Sequence, residues 1–173
     1  MVQSLAQPPE TAVEPFLTQF KARFGPEDPA SGTAWLYPIR QAGLARFAET
    51  GFPTLQQEDW RFTNLAPLAR LPFKPIFNPS ENNGAREALK RFPFAGLKCH
   101  RLVFLDGHFS PELSLSLPKP EGIYLGSLAA ALAAGEPALE QHLAKLPRTP
   151  DNPFAALNTA FFLDGTYLHV PSG

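Results

Sequence analysis

Residues 58–65 read EDWRFTNL and form the most informative stretch of the chain. An arginine beside a tryptophan can lay its guanidinium on an aromatic ring while its planar fork pairs with a carboxylate, here Glu58 or Asp59. The octapeptide therefore predicts a structural clamp, with Trp60 mostly buried and Arg61 held by a carboxylate or by backbone carbonyls. Because the two carboxylates are sequence neighbours close to an arginine, they indicate ion-pair partners rather than a catalytic acid and base.

The composition around this stretch is typical of one folded domain without a strongly charged partner. The chain has 173 residues, 44% of them apolar, and a formal net charge of −1. A chain of this length usually folds around one core, and its charge gives no attraction to nucleic acid or anionic lipid. The first residues show no secretory signal pattern, and no apolar stretch is long enough to cross a bilayer. We therefore expect a soluble, cytoplasmic protein that binds neither nucleic acid nor membranes.

Apolar periodicity and capping residues predict an α+β fold that is mostly helical. Thr54 and Gln57 have capping-box spacing, which predicts a short helical turn that carries Trp60. Gly51 is placed for a left-handed cap at the end of the helix before it. Ser127 and Asn152 are each placed to cap the helix that follows them. The predicted helices cover residues 10–24, about 35–50, 83–92, 128–132, 136–146 and 153–161, and the 20 prolines favour short helices joined by stiff loops.

The strand signals are fewer and shorter. Asp106-Gly107 supplies the positive φ angles of a tight turn, which predicts a β-hairpin between residues 102–105 and 108–109. Ile123–Leu125 is a short apolar strand candidate. Asp164-Gly165 turns the chain into residues 166–170, where β-branched and aromatic side chains alternate as in a strand.

No catalytic, cofactor-binding or metal-binding residues are predicted. The four histidines, at positions 100, 108, 142 and 169, are dispersed, and none has the spacing of a metal site. The single cysteine, Cys99, precedes His100 and Arg101, and a neighbouring cation can activate a thiolate. A lone cysteine entering a hairpin is nevertheless more often packed than reactive. Gly122 to Ser127 lacks the lysine and the glycine spacing of a phosphate loop, so a simple strand-to-helix turn is expected there.

Four segments, taken in order, resemble the N-terminal part of the SufB/SufD family of iron-sulfur cluster assembly scaffolds. They are GFPT at 51–54, EDWRFTNL at 58–65, LVFLDG at 102–107 and FAALNTA at 154–160. The tetrapeptide Trp60-Arg61-Phe62-Thr63 resembles SufD more than SufB. The resemblance extends from about residue 34 to the end of the chain.

The resemblance implies a non-catalytic scaffold that acts with SufB and with the ATPase SufC. It also implies that a helical N-terminal region leads into a right-handed parallel β-helix, and that an iron-sulfur cluster is associated with the full complex. The family's cluster-associated residues lie in later regions, so no position here inherits such a role and no cofactor is expected in this chain. On this view residues 1–9 are a disordered tail, 10–163 a helical N-terminal domain with a small β element, and 164–173 the start of a truncated β-helix.

The strand at 166–170 then lacks its natural neighbour. We expect it to pair with the hairpin near residues 102–109, to add to a neighbouring molecule, or to fray. The alternative to the scaffold is a small stand-alone sulfur-carrier or thiol-dependent enzyme domain that uses an exposed, reactive Cys99.

Overall fold

The computed structural model describes residues 12–25, 34–79, 83–94, 96–145 and 152–171, and the predicted tail at 1–9 lies outside them. The described residues form an α+β fold, as expected, with α-helices and two small antiparallel sheets. The helices are α1 (Glu14–Arg23), α2 (Leu36–Thr50), α3 (Ala66–Ala69), α4 (Asn83–Arg91), α5 (Leu128–Ala133), α6 (Pro137–His142) and α7 (Pro153–Phe161). The strands are β1 (Phe104–Leu105), β2 (His108–Phe109), β3 (Tyr124–Ser127) and β4 (Thr166–His169).

The chain divides into two compact units. Unit 1 contains the described residues up to Pro75 together with Pro137–Phe161. Unit 2 contains Ile76–Glu136 and the described residues from Phe162 onward. The sequence predicted one domain up to residue 163, and that boundary stays a prediction.

The helices of unit 1 follow the sequence signals closely. Pro38 is tolerated in the first turn of α2, where its missing N–H would have no helical partner in any case. Gly51 ends α2 with a φ of 62° and a ψ of −164°, so its φ is positive as predicted, but its ψ is not that of the left-handed helix. The prediction of a capping box was wrong, because the hydroxyl of Thr54 accepts a hydrogen bond from the amide of Gln56 and not from that of Gln57. The helical turn that it was expected to open is confirmed as the 3₁₀ helix Glu58–Trp60.

Helices α2 and α7 lie in close contact, and Gly43 makes this possible. A Cβ atom on Gly43 would lie 2.8 Å from the carbonyl oxygen of Ala156 and 3.0 Å from the amide nitrogen of Ala160. Real Cβ atoms do not approach backbone atoms this closely, so only glycine allows the two helices their present separation. We call this contact the α2–α7 seam.

Arg40 lies one turn before Gly43 and is buried in unit 1, with 1% of its surface exposed. Its Nη1 donates a hydrogen bond to the carbonyl oxygen of Ala160, near the C-terminal end of α7 where carbonyls lack helical partners. The guanidinium also lies 4.6 Å from the ring centre of Phe24. Burial, followed by the nearby Arg23, lowers the pKa of Arg40 to about 10, so the side chain is charged at neutral pH.

A cluster of phenylalanines fills the core of unit 1 beside the seam. Phe16 of α1 meets Phe47 of α2 at 5.4 Å and Phe52 at 6.0 Å, both edge to face. Phe161 at the end of α7 lies 6.2 Å from Phe16. Edge-to-face pairs of this kind contribute about 0.5–1.5 kcal/mol each beyond the area that they bury. The periodic apolar face predicted for α1 is therefore confirmed as a core face.

The carboxylate of Asp164 joins three parts of unit 2. It accepts hydrogen bonds from the amides of Ala129, Gly165 and Phe109 and from the hydroxyl of Ser127, all at 2.8–3.0 Å. Ser127 itself caps α5, as predicted, by accepting the amide of Ala130. Burial raises the pKa of Asp164, but these hydrogen bonds outweigh it, and the pKa is lowered overall.

The predicted hairpin is confirmed, and its turn uses the predicted residues. Phe104 pairs with Phe109 and Leu105 with His108. Asp106 and Gly107 both have positive φ, of 49° and 85°.

The prediction that the last strand pairs with the hairpin or frays was wrong, and its addition to a neighbouring molecule stays a prediction. β4 pairs antiparallel with β3, from Tyr124 opposite His169 to Ser127 opposite Thr166. In the hairpin, the amide of Phe109 bonds to the side chain of Asp164, two residues before β4, rather than to the strand itself. The described strands pair only in antiparallel ladders, and the parallel β-helix implied by the resemblance stays a prediction.

We expect Gly43→Ala to lower the free energy of unfolding by roughly 1–3 kcal/mol, because the added methyl group overpacks the α2–α7 seam. In an exposed helix the same substitution stabilises by about 0.5–1 kcal/mol, so the sign of the effect is diagnostic. Urea unfolding measures it. Gly96→Ala is the control, since no atom lies within 4 Å of its added Cβ, and a stabilising Gly43→Ala would contradict the close contact.

We expect Asp164→Asn to destabilise the protein by about 1–3 kcal/mol at neutral pH, because the amide cannot accept all of the bonds that the carboxylate accepts. The folded-state pKa of Asp164 is lowered, so its stabilisation is present above the unfolded value of about 3.9 and is lost as the pH falls through the folded value. The stability difference between the two proteins should therefore narrow below about pH 4. If the difference in free energy of unfolding between the two proteins stays constant as the pH falls well below about 4, the ionised carboxylate of Asp164 is not the stabilising group.

Candidate functional site

The EDWRFTNL segment forms a tight surface turn in unit 1. The 3₁₀ helix Glu58–Trp60 starts it, with the amide of Trp60 bonded to the carbonyl of Gln57 at 3.0 Å. The amide of Thr63 then bonds to the carbonyl of Trp60 at 2.8 Å. We call residues 58–63 the aromatic knuckle.

Trp60 fixes the knuckle to the phenylalanine cluster. Its ring lies 5.5 Å from that of Phe154 on α7, and Phe154 in turn meets Phe52 at 6.0 Å. Trp60 is mostly buried, as predicted, although part of its side chain stays exposed. Phe47, Phe52 and Phe16 pack together in the core, and Trp60 covers its edge through the contact with Phe154.

Arg61 is held as predicted, but it clamps a different ring. Its Nη1 donates to the Oε1 of Glu58, which confirms the expected carboxylate partner. Its guanidinium lies over the ring of Phe62, 4.7 Å from the ring centre, rather than over Trp60. The ring of Phe62 is 88% exposed. The clamp therefore holds an aromatic side chain on the outside of the protein.

An aromatic side chain that is held in place at the surface is suited to protein binding. Tryptophan, tyrosine and arginine are enriched among the residues that dominate binding energy, and aromatic side chains in general are enriched in interfaces. Because Arg61 already restrains the ring of Phe62, a partner would pay less of the entropy of ordering it. The knuckle is the candidate functional site of unit 1.

Sequence reasoning located this segment but not its exposed residue. It identified Trp60 and Arg61 and treated Phe62 only as part of a signature. The sequence did contain a signal for an exposed Phe62, because the prolines and polar residues that follow place the segment in a loop. The ring that Trp60 packs against, Phe154, lies about ninety residues away in the chain, so the sequence could not identify this contact.

The predicted thiol candidate and the histidines do not come together into a reactive site. Cys99 is exposed, so the expectation that it is packed was wrong. The Nδ1 of His100 accepts the amide of Leu117 at 3.2 Å, and the Nε2 of His108 lies 2.8 Å from the carbonyl of Ile76. Within the part of the chain that the structure describes, no three His, Cys, Asp or Glu residues are grouped to hold a metal ion.

The family match follows the boundaries that the resemblance suggested. A family model described as the SufBD protein N-terminal region matches residues 30–173. The chain belongs to the SufBD family.

A similar protein is the iron-sulfur cluster assembly SufBD family protein of Synechocystis sp., which is 29% identical over 134 residues. The aligned part covers 77% of this chain but only 28% of that relative. The chain therefore spans well under two thirds of the length of the curated relative that it matches.

The helices of the SufBD N-terminal region described here are short. Among the described residues, none is both long enough and apolar enough to cross a membrane.

We expect Trp60→Ala to lower the free energy of unfolding by about 1–3 kcal/mol, less than the ~3–5 kcal/mol typical of a fully buried tryptophan. Phe62→Ala should change it by no more than about 0.5 kcal/mol, because the removed ring is in water. Chemical unfolding of both variants measures the contrast. Equal losses of stability would mean that Phe62 is covered in solution and would contradict its exposure.

Proposed function

We propose that this chain is the N-terminal region of a SufD-like scaffold subunit in iron-sulfur cluster assembly. In this role it acts without catalysis, together with a SufB-like subunit and a SufC-like ATPase. Iron and sulfide are then the cargo of the complex and are not resident cofactors of this chain. The aromatic knuckle is the surface by which unit 1 contacts its partners.

Three observations support the assembly role. The match to the SufBD N-terminal region covers most of the chain. The Synechocystis relative carries iron-sulfur cluster assembly in its name. The tetrapeptide at 60–63, which resembles SufD more than SufB, forms the knuckle itself and so gives the SufD assignment a physical counterpart.

The exposed ring of Phe62 is the single observation that carries the contact surface. A phenylalanine in water gains about 1.5–3 kcal/mol when it becomes fully buried, so covering this ring favours association. The ion pair of Arg61 with Glu58 is exposed and contributes little to folding, which points to a role in positioning the ring.

The non-catalytic role is supported by how the polar side chains of unit 2 are used. His100 and His108 each contact a backbone group, and Asp164 binds three amides and a hydroxyl. Such interactions stabilise loops and strand ends, and they leave these groups committed to the fold.

The β3–β4 sheet is consistent with a continuation into a β-helix. The amide of Leu128 bonds to the carbonyl of Gly165, and bonded pairs alternate along an antiparallel ladder. The backbone groups of Thr166 and Leu168 therefore face away from β3. We propose that, in the longer protein, β4 leads into the first turn of the parallel β-helix and offers this edge to it.

The contact surface can be tested with Phe62→Ser in the intact protein. We expect this change to weaken binding to the purified SufB–SufC complex of the same organism by about tenfold or more, as for a residue central to an interface. Titration calorimetry measures the affinity. The matched control is Leu71→Ser, which also replaces an exposed apolar side chain of unit 1, one that is 53% exposed.

Two outcomes would contradict the proposal at different points. If Phe62→Ser and the unchanged protein bind with equal affinity, the knuckle is not the contact surface. If the unchanged protein does not bind the SufB–SufC complex, the proposed partners are wrong.

The variant Cys99→Ser separates the scaffold role from the alternative of a thiol-dependent domain. We expect it to support cluster assembly at the unchanged rate, whereas loss of assembly would favour the alternative.

A further inference from the structure

Unit 2 contains a groove between α4 and the segment that pairs with Arg101. Its volume is about 350 Å³, at the lower end of the range for ligand-binding pockets of about 300–1,000 Å³. One wall is the face of α4 that carries Arg86, Leu89 and Lys90, spaced three and four residues apart. The other wall holds Arg101 and residues 112–115. We call this the cationic groove.

The groove wall is held by backbone and side-chain bonds. Arg101 and Leu115 exchange two backbone hydrogen bonds of 2.8 Å. The hydroxyl of Ser114 donates to the carbonyl of Ser110 and accepts the amide of Val103. The wall is therefore preformed.

The charge of the groove is positive although the chain as a whole is slightly acidic. Arg86, Lys90 and Arg101 line it together with the carboxylate of Glu112, and Lys90 also makes an exposed ion pair with Glu87 on the same helix at 2.7 Å. Arg86 already binds that carboxylate at 2.9 Å, which shows how a carboxylate can enter the groove. The side chains of this pair are 58% and 68% exposed, so the interaction is weak and exchangeable.

The floor and the neighbourhood of the groove are apolar. Leu89, Leu113 and Leu115 line it between the charged groups. The amide of Phe92 bonds to the carbonyl of Leu89, one turn beyond the groove. Phe92 and Phe94 then form an edge-to-face pair, at 5.6 Å, that is more than half exposed. Exposed aromatic pairs beside a groove are typical of surfaces that bind proteins.

We propose that the cationic groove binds an acidic peptide segment of a partner protein, with carboxylates at Arg86, Lys90 and Arg101 and apolar side chains on the leucines. A free phosphate could use the cations but would leave Leu89 and Leu115 uncovered. The backbone N–H groups of Arg101 and Leu115 each donate to the carbonyl oxygen of the other residue and are not available to an anion. The inference does not depend on the role in cluster assembly, since it concerns a different surface.

Fluorescence anisotropy with labelled synthetic peptides tests the proposal on the intact chain. The probes are peptides of about ten residues that combine Glu with Leu, Glu with Ser, or Lys with Leu. We expect the Glu–Leu peptide to bind most tightly, and its affinity to fall as salt rises from about 0.05 M to about 0.3 M. The Lys–Leu peptide should not bind.

The variant Arg86→Gln/Lys90→Gln should weaken binding of the Glu–Leu peptide by about tenfold or more, because it removes two of the three cations. Glutamine keeps the helix propensity of α4. The matched control is Arg91→Gln, which removes an exposed cation from the same helix outside the groove and should change affinity by less than about twofold.

Three results would overturn the proposal. One is equal affinity for the Glu–Leu and Lys–Leu peptides. Another is an equal loss in the Arg91→Gln control. The third is displacement of the Glu–Leu peptide by inorganic phosphate at comparable concentration, which would indicate a simple anion site.

Discussion

The close contact of α2 with α7 at Gly43 is the constraint on which unit 1 depends. A side chain of any size at this position would meet the backbone of α7, so the helix separation is set by the absence of a Cβ atom. The same approach brings Arg40 to the carbonyl of Ala160 and places Phe161 among the phenylalanines of α1. It also positions Phe154, the ring on which Trp60 rests.

The aromatic knuckle follows from this packing. Phe16, Phe47 and Phe52 pack together in the core, and Trp60 lies at its edge against Phe154. Trp60 is mostly buried there, and Phe62 is left outside. Arg61 contacts residues on both sides of it in the knuckle. It forms an ion pair with Glu58, and its guanidinium lies over one face of the exposed Phe62 ring.

The two candidate surfaces suit partners of different chemistry. The knuckle offers an uncharged aromatic ring, which favours association through burial and shape. The cationic groove offers three positive side chains over an apolar floor, which favours an acidic segment and gives a salt-dependent interaction. Differences of this kind between two surfaces keep their partners distinct.

The sequence by itself determined the α+β class and several local elements, because periodicity, φ preference and capping act over a few residues. These elements are the helices α1, α2 and α7, the hairpin turn at Asp106-Gly107, and the caps at Ser127 and Asn152. It also carried the resemblance that the family match confirms. Only the tertiary structure decided that Phe62 is exposed, that β4 pairs with β3, and that Asp164 joins Phe109 to α5. Those outcomes depend on contacts between residues far apart in the chain, where neither spacing nor propensity carries information.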